Sequence, residues 1–217
     1  MKRYEAVIFD WDGTVMDSTH SIVGAIQGAC ADLELPVPSD SDASWVIGLS
    51  LESALYHCVP TLTEHNMQAF LDRYRFHYLS RDPHIRMFEG IPELLLELRA
   101  SRVHLGVATG KSRVGLDRVL DAMKLRDHFD ATRCADESFS KPHPGMLLEL
   151  MEELQLAPER VLMVGDTSHD VQMAVAAGVD SMAVTYGAHH RSILQEAGPT
   201  VLVGSVGEMR SWLIERV

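Results

Sequence analysis

The sequence predicts an α/β fold, a parallel sheet interleaved with helices and carrying an inserted all-helical domain. Three observations lead there. Short apolar, β-branched runs recur along the chain, and amphipathic helical periodicity fills most of the gaps between them. One long stretch, from about Met16 to Arg86, shows several helical patterns and no strand. Strands that alternate with helices imply parallel pairing, because every return to the same edge of a sheet needs a crossover.

Ala6-Val7-Ile8-Phe9 is read as the first strand, an apolar run too short for a helix and ended by Asp10. In the strandless stretch, Met67, Phe70, Leu71, Tyr74 and Tyr78 fall on one helical face. Its flanks, Gly13-Thr14 and Ser80-Arg81-Asp82-Pro83, carry the turn residues of connecting linkers. Residues 1–15 and 86–217 are therefore assigned to the α/β core and residues 16–85 to a helical cap, a two-lobed molecule with a hinge. Val103 to Ala108 follows as the second strand. Leu116, Val119, Leu120 and Met123 then keep the i, i+3, i+4, i+7 spacing of an amphipathic helix. Ala131 to Cys134 is a weaker strand. Pro144 suits the first position of the next helix, whose apolar stripe is Leu147, Leu150, Met151 and Leu154. Val161 to Val164 and Ser181 to Val184 complete the predicted sheet.

Composition narrows the function classes. The chain has 217 residues, 46% hydrophobic, enough for a sizeable core without disulfides or structural metals. Its net charge of −12 argues against a nucleic-acid or anionic-membrane surface, so an anionic substrate must be held by a few placed cations. Cys30, Cys58 and Cys134 are odd in number and far apart, which supports neither a disulfide framework nor a thiolate zinc site. They are expected to be small buried residues of a protein in a reducing cytoplasm. Lys2 and Arg3 precede an apolar run too brief for a signal peptide or a membrane span.

In an open parallel sheet, functional groups gather beyond the carboxyl ends of the strands, near the point where strand order reverses. Polar residues stand at those places. Asp10-Trp11-Asp12-Gly13-Thr14 follows the first strand, Thr109-Gly110-Lys111 the second, and Gly165-Asp166-Thr167-Ser168-His169-Asp170 the Val161 strand. Lys141 lies in Ser140-Lys141-Pro142-His143-Pro144, ahead of another helix. Asp10, Asp12, Asp166 and Asp170 brought together would repel one another, so either some hold protons or a cation sits among them. An oxygen-only donor set favours a hard ion, and Mg²⁺ usually keeps waters and a substrate phosphate among its ligands. That composition points to phosphate chemistry.

These segments resemble the four motifs of the haloacid dehalogenase superfamily, in the branch with a helical cap after the first strand. The likeness spans essentially the whole chain, in order and spacing, and phosphoglycolate-phosphatase-like members are the most similar. It implies a Rossmann-like core and a Mg²⁺-dependent phosphatase acting on a small-molecule phosphate monoester, a phosphoglycolate-like compound or a sugar phosphate. By resemblance, Asp10 is the nucleophile that forms an aspartyl-phosphate. Asp12 protonates the departing alcohol and later deprotonates the attacking water. Thr109 and the backbone N–H of Gly110 bind phosphoryl oxygens, and Lys141 offsets the negative charge. Asp10, the backbone carbonyl of Asp12, and Asp166 correspond to the metal ligands. Asp170 corresponds to a group behind them that orients Lys141 or a metal-bound water. The turn from Trp45 to Ser50, with Gly48 and Leu49, corresponds to the loop that reads the leaving group.

Plainer roles exist for several of these residues. Asp10 and Asp12 could cap a turn, Asp166 and Asp170 could complement a helix N-terminus, Thr109 could be a helix cap and Lys141 a solvated loop lysine. The agreement of all four motifs favours the catalytic roles. Lys111 is expected to face solvent or the cap, outside the catalytic set. Trp11 is expected to pack beside the site, His169 to have no role, and His189 and His190 to lie in a solvated loop. An acid two residues after the nucleophile suits phosphate esters, since a halide leaving group needs no proton. A phosphomutase is the nearest alternative, although His20 is displaced from the expected position and Gly48-Leu49-Ser50 lacks a basic residue. A receiver-like phosphoacceptor shares the acid cluster but not a large helical insertion. Between Val15 and Asp82 there are three arginines, no lysine and nine acids, which disfavours a second strong anion on the substrate unless a cation is aimed inward. The expected partner is a small phosphate ester, with no nucleic acid and no membrane, and the chain acts as a monomer or homodimer.

Overall fold

In the computed structural model, which describes residues 3–81 and 85–217, six strands form one wholly parallel sheet. They are β1 (Ala6–Phe9), β2 (His104–Thr109), β3 (Ala131–Cys134), β4 (Val161–Gly165), β5 (Asp180–Val184) and β6 (Val201–Val203), in the order β3-β2-β1-β4-β5-β6. Ala6 pairs in register with His104 on one side and Val161 on the other. The chain builds outward from β1 in one direction, then restarts at β4 on the opposite side. Strand order thus reverses between β1 and β4, and their carboxyl ends form the crevice where such sheets place ligands.

Successive side chains of a strand point to opposite faces, so each strand feeds two cores. Val7, Phe9, Leu105, Val107, Leu162 and Val164 pack with α5 (Ile91–Ala100), α6 (Arg113–Met123) and α10 (Val206–Ile214) on one face. Ala6, Ile8 and Met163 pack with α7 (Gly145–Leu154) and α8 (Ser168–Ala177) on the other. One further helix, α9 (Arg191–Glu196), buries Leu194 against Val171 and Ala183.

Between β1 and α5 the chain forms four helices, α1 (Thr19–Asp32), α2 (Asp40–Trp45), α3 (Leu51–Cys58) and α4 (Glu64–Arg81), with no strand among the described residues. They enclose a core of their own, including Val23, Ile26, Cys30, Ile47, Leu55 and Phe70. The stripe expected on α4 is real, with Phe70 and Tyr78 buried. Asp82 and Pro83 of the second expected linker lie outside the described residues. All three cysteines are buried and unpaired, and no helix among the described residues is long and apolar enough to cross a membrane. One strand escaped the sequence reading. Val201-Leu202-Val203 is three residues long with only Val203 buried, too little apolar run to stand out without its pairing to β5.

Candidate active site

Asp10 continues the ladder directly after β1, its N–H donating to Val164 O at 2.8 Å, so sheet pairing fixes the backbone that carries it. Its side chain is buried, and Lys141 Nζ stands 2.7 Å from Asp10 Oδ1 and 2.6 Å from Asp170 Oδ1. Both contacts are charge–charge contacts, and neither Asp10 oxygen has a directed hydrogen-bond partner. Burial, reinforced by Asp170 and Asp166 and opposed by Lys141, pushes the Asp10 carboxyl well above the ordinary carboxylate range. Burial pulls the Lys141 ammonium down, but Asp10 and Asp170 outweigh it and hold its pKa above the usual lysine value.

Asp166 follows β4. Its Oδ1 accepts from Thr14 Oγ1 and its Oδ2 from the Ala188 N–H, both at 2.7 Å. Burial and the neighbouring Asp170 raise its pKa despite those donors. Gly13, at φ +85°, lies against this carboxylate, and a Cβ there would come within 2.1 Å of Asp166 Oδ2. Asp170 is differently engaged. Thr167 caps α8 by accepting from the Asp170 N–H, and Asp170 Oδ2 accepts from the Thr167 N–H and hydroxyl at 3.0 and 2.7 Å. With its other oxygen on Lys141, Asp170 orients that lysine.

The side chain of Asp12 has other partners. Ser18 Oγ donates to its Oδ1 at 2.6 Å, and Lys111 Nζ lies 2.9 Å from its Oδ2. Lys111 also donates to Tyr78 Oη of α4 at 3.1 Å. Lys111 thus meets α4 of the helical insertion, one of the two places expected for it, with its side chain only 11% exposed, where an unpaired ammonium would be costly. Thr109 is buried at the end of β2, its Oγ1 accepting the Lys111 N–H at 3.2 Å.

The turn between α2 and α3 closes over these residues. A Cβ on Gly110 would lie 2.5 Å from Leu49 O and 2.7 Å from Gly48 O, so only glycine admits that approach. Ser50 N–H donates to Ser140 Oγ at 2.8 Å. Trp45 O receives His169 Nε2 at 2.8 Å and His189 Nε2 at 3.0 Å. His189 Nδ1 accepts the Ser168 N–H, which assigns the ring hydrogen to Nε2. Burial lowers the pKa of both imidazoles, keeping them neutral. One expectation fails here in part, because His189 is buried rather than in a solvated loop, whereas His190 is exposed; His169, expected to have no role, contacts the Trp45 carbonyl. A histidine that holds a carbonyl over a hundred residues away carries no local signature. Trp11 packs as expected, fully buried with its ring edge toward Phe129.

Asp10, Asp166 and Asp170 place carboxylate oxygens within 4.8 Å of one another. The fit to a hard divalent ion rests on Asp10 and Asp166. Asp10 has a buried oxygen, Oδ2, with neither a lysine nor a hydrogen-bond partner, and the Asp166 oxygens retain free lone pairs beyond their two bonds. Asp170, already shared between Thr167 and Lys141, is the poorer ligand. An all-oxygen donor set suits Mg²⁺.

A buried carboxylate beside a lysine, at the switch point of a parallel sheet and under a helical insertion, defines an α/β protein with a carboxylate-centred site. Residues 7–184 match the haloacid dehalogenase-like hydrolases, and the chain belongs to that family. It is 34% identical over 209 residues to the probable phosphatase IndB of Dickeya dadantii (strain 3937), covering 94% of this chain and 90% of that one. It is 32% identical over 213 residues to the tyrosine-protein kinase PtkA of Mycobacterium tuberculosis (strain ATCC 25618 / H37Rv), covering 96% and 72%. The crystal structure of "a predicted phosphatase" from Clostridium acetobutylicum superposes with a TM-score of 0.86 at 28% identity, covering 99% of this chain and all of that one.

Proposed function

We propose that the protein is a Mg²⁺-dependent phosphomonoesterase that hydrolyses a small phosphate ester through a phosphorylated Asp10, with helices α1–α4 acting as a cap. The observation that carries this reading is the buried Asp10 with Lys141 at 2.7 Å and its second oxygen unengaged. A carboxylate so held has a cation beside it to offset its charge as it attacks.

Asp10 attacks phosphorus in line, and the bond to the ester oxygen breaks. The electron pair leaves with that oxygen, which takes a proton from Asp12. Water then attacks the aspartyl-phosphate, Asp12 now accepting its proton, and the P–O bond to Asp10 breaks to release inorganic phosphate. Lys141, Thr109 Oγ1 and the Gly110 N–H hold phosphoryl oxygens. Mg²⁺, held by Asp10, Asp166 and the Asp12 carbonyl, would supply charge neutralisation at the phosphoryl group. The turn from Trp45 to Ser50 excludes bulk water and contacts the leaving group.

Hydrolysis is preferred to transfer onto a protein tyrosine because Asp10 is only 1% exposed beneath the insertion. It is preferred to a mutase because His20 is exposed on α1. The leaving group is a small phosphoglycolate-like or sugar moiety in a cytoplasmic protein. Phosphate release across a panel of phosphate esters, with and without Mg²⁺, tests the reading on the wild type and Asp10→Asn. Wild-type turnover that needs Mg²⁺ and vanishes in the variant is expected. No turnover on any ester would refute the enzyme, and an active Asp10→Asn would refute the phosphorylated aspartate.

A further inference from the structure

We infer that Lys111 is a positioning residue for Asp12, holding its carboxyl in place through a charge-assisted contact to which the helical insertion contributes. The inference rests on the proposed role of Asp12 as the acid. Three observations carry it. First, both oxygens of Asp12 have a partner, Ser18 for Oδ1 at 2.6 Å and Lys111 for Oδ2 at 2.9 Å. Ser18 directly precedes α1, whereas Lys111 comes from the loop after β2. A carboxyl held at both oxygens from two elements has one orientation.

Second, the Lys111 backbone is itself fixed. Its N–H donates to Thr109 Oγ1 at 3.2 Å and its carbonyl accepts from the Ala135 N–H at 3.0 Å. One residue therefore ties the hydroxyl proposed to hold phosphate to the carboxyl proposed to protonate the leaving group. Third, the ammonium is aimed inward despite its burial. Its side chain is 11% exposed, donates to Tyr78 Oη at 3.1 Å, and lies 5.1 Å from the Tyr78 ring centroid. Tyr78 belongs to α4, so the anchor of Asp12 is assembled from both the sheet and the helical insertion.

The consequence is specific to leaving groups that need a proton. A nitrophenolate departs without one, whereas an alkoxide does not. A displacement of about 1 Å in a catalytic group can cost about 10²-fold, so Lys111→Met should slow the first turnover of ethyl phosphate by about that factor relative to p-nitrophenyl phosphate. Lys111→Arg, which keeps a cation at the site, should recover part of that ratio. Asp12→Ala should lower the same ratio by about 10²–10⁴-fold.

The experiment is a single-turnover comparison of the two esters by rapid quench, with wild type, Lys111→Met, Lys111→Arg and Asp12→Ala, each checked for folding by circular dichroism. A fall in the ratio for Lys111→Met with partial rescue by arginine supports the inference. Equal losses on both esters would show a merely structural lysine and overturn it. An unchanged ratio in Asp12→Ala would overturn the acid itself, whereas an unchanged ratio in Lys111→Met alone would overturn only the role of the lysine. Should Lys111→Met fail to fold, Tyr78→Phe, which removes one anchor of the ammonium, takes its place, with a smaller fall in the ratio expected and no fall overturning the inference.

Discussion

The packing of the insertion onto the site can be tested by adding a single methyl group. Gly110 sits under the backbone carbonyls of Leu49 and Gly48, at 2.5 and 2.7 Å from where its Cβ would be, whereas ordinary contacts begin near 3.4 Å. Gly110→Ala must therefore push the turn outward by about 0.9 Å, the difference between those two distances. No flexible side chain can absorb that shift, because the opposing atoms are backbone. A misplacement of about 1 Å can cost about 10²-fold in rate, so kcat/KM on the best ester should fall by about two orders of magnitude. Stability should change little, because the strain is confined to the contact between the turn and the sheet domain and the hydrophobic cores stay intact. Steady-state kinetics and urea unfolding on the same preparation check both halves. A variant with wild-type kcat/KM would refute the idea that this packed arrangement is the working one.

Two further outcomes follow from the charges. Lys141→Met leaves Asp10 and Asp170 without their shared cation, and breaking a buried pair typically costs about 3–5 kcal/mol. Urea unfolding at pH 7 should show that loss, diminished at lower pH where the buried Asp10 carboxyl takes up a proton, and an undiminished stability at pH 7 would contradict the pairing. Asp10 and Asp166 keep their protons to higher pH in the fold than in the unfolded chain. Above the unfolded value of about 4, the native state therefore holds more protons, and stability falls as pH rises through the folded values. Because Mg²⁺ binding requires deprotonated ligands, the rise in Tm on adding Mg²⁺ should be larger at pH 8 than at pH 5. A rise as large at pH 5 would count against these ligands.

What the sequence made legible was whatever rests on local pattern. β1, β2 and β4 announce themselves because central parallel strands are apolar on both faces, and Asp10, Thr109 and Asp166 follow from standing at or just beyond the ends of such strands. The insertion was legible from its helical spacing. What stayed hidden depends on pairs distant in the chain. Lys111 and Tyr78 are 33 residues apart, and Trp45 meets His169 across 124. No periodicity encodes those contacts. A charge argument could have found Lys111, since Asp12 needs a cation once Lys141 is committed to Asp10 and Asp170. β6 was missed for the opposite reason, as an edge strand with one buried residue scarcely differs from a loop.

The same charge reasoning explains why four aspartates can share one crevice. Asp12 is matched by Lys111, and Lys141 serves Asp170 while also touching Asp10. Four carboxylates against two ammonium groups leave an excess of two negative charges. That excess is not spread evenly, because burial raises the pKa of Asp10, which shares Lys141 with Asp170, and of Asp166, which has no lysine contact. Without a counter-ion they relieve the excess by holding protons, which would disable Asp10 as a nucleophile. One divalent cation would match the excess in sign and size, and Asp10 and Asp166 would hold it. The acidity that at the level of composition only excluded partners thus becomes, at the level of the site, the reason that the proposed function joins a metal ion to an attacking Asp10.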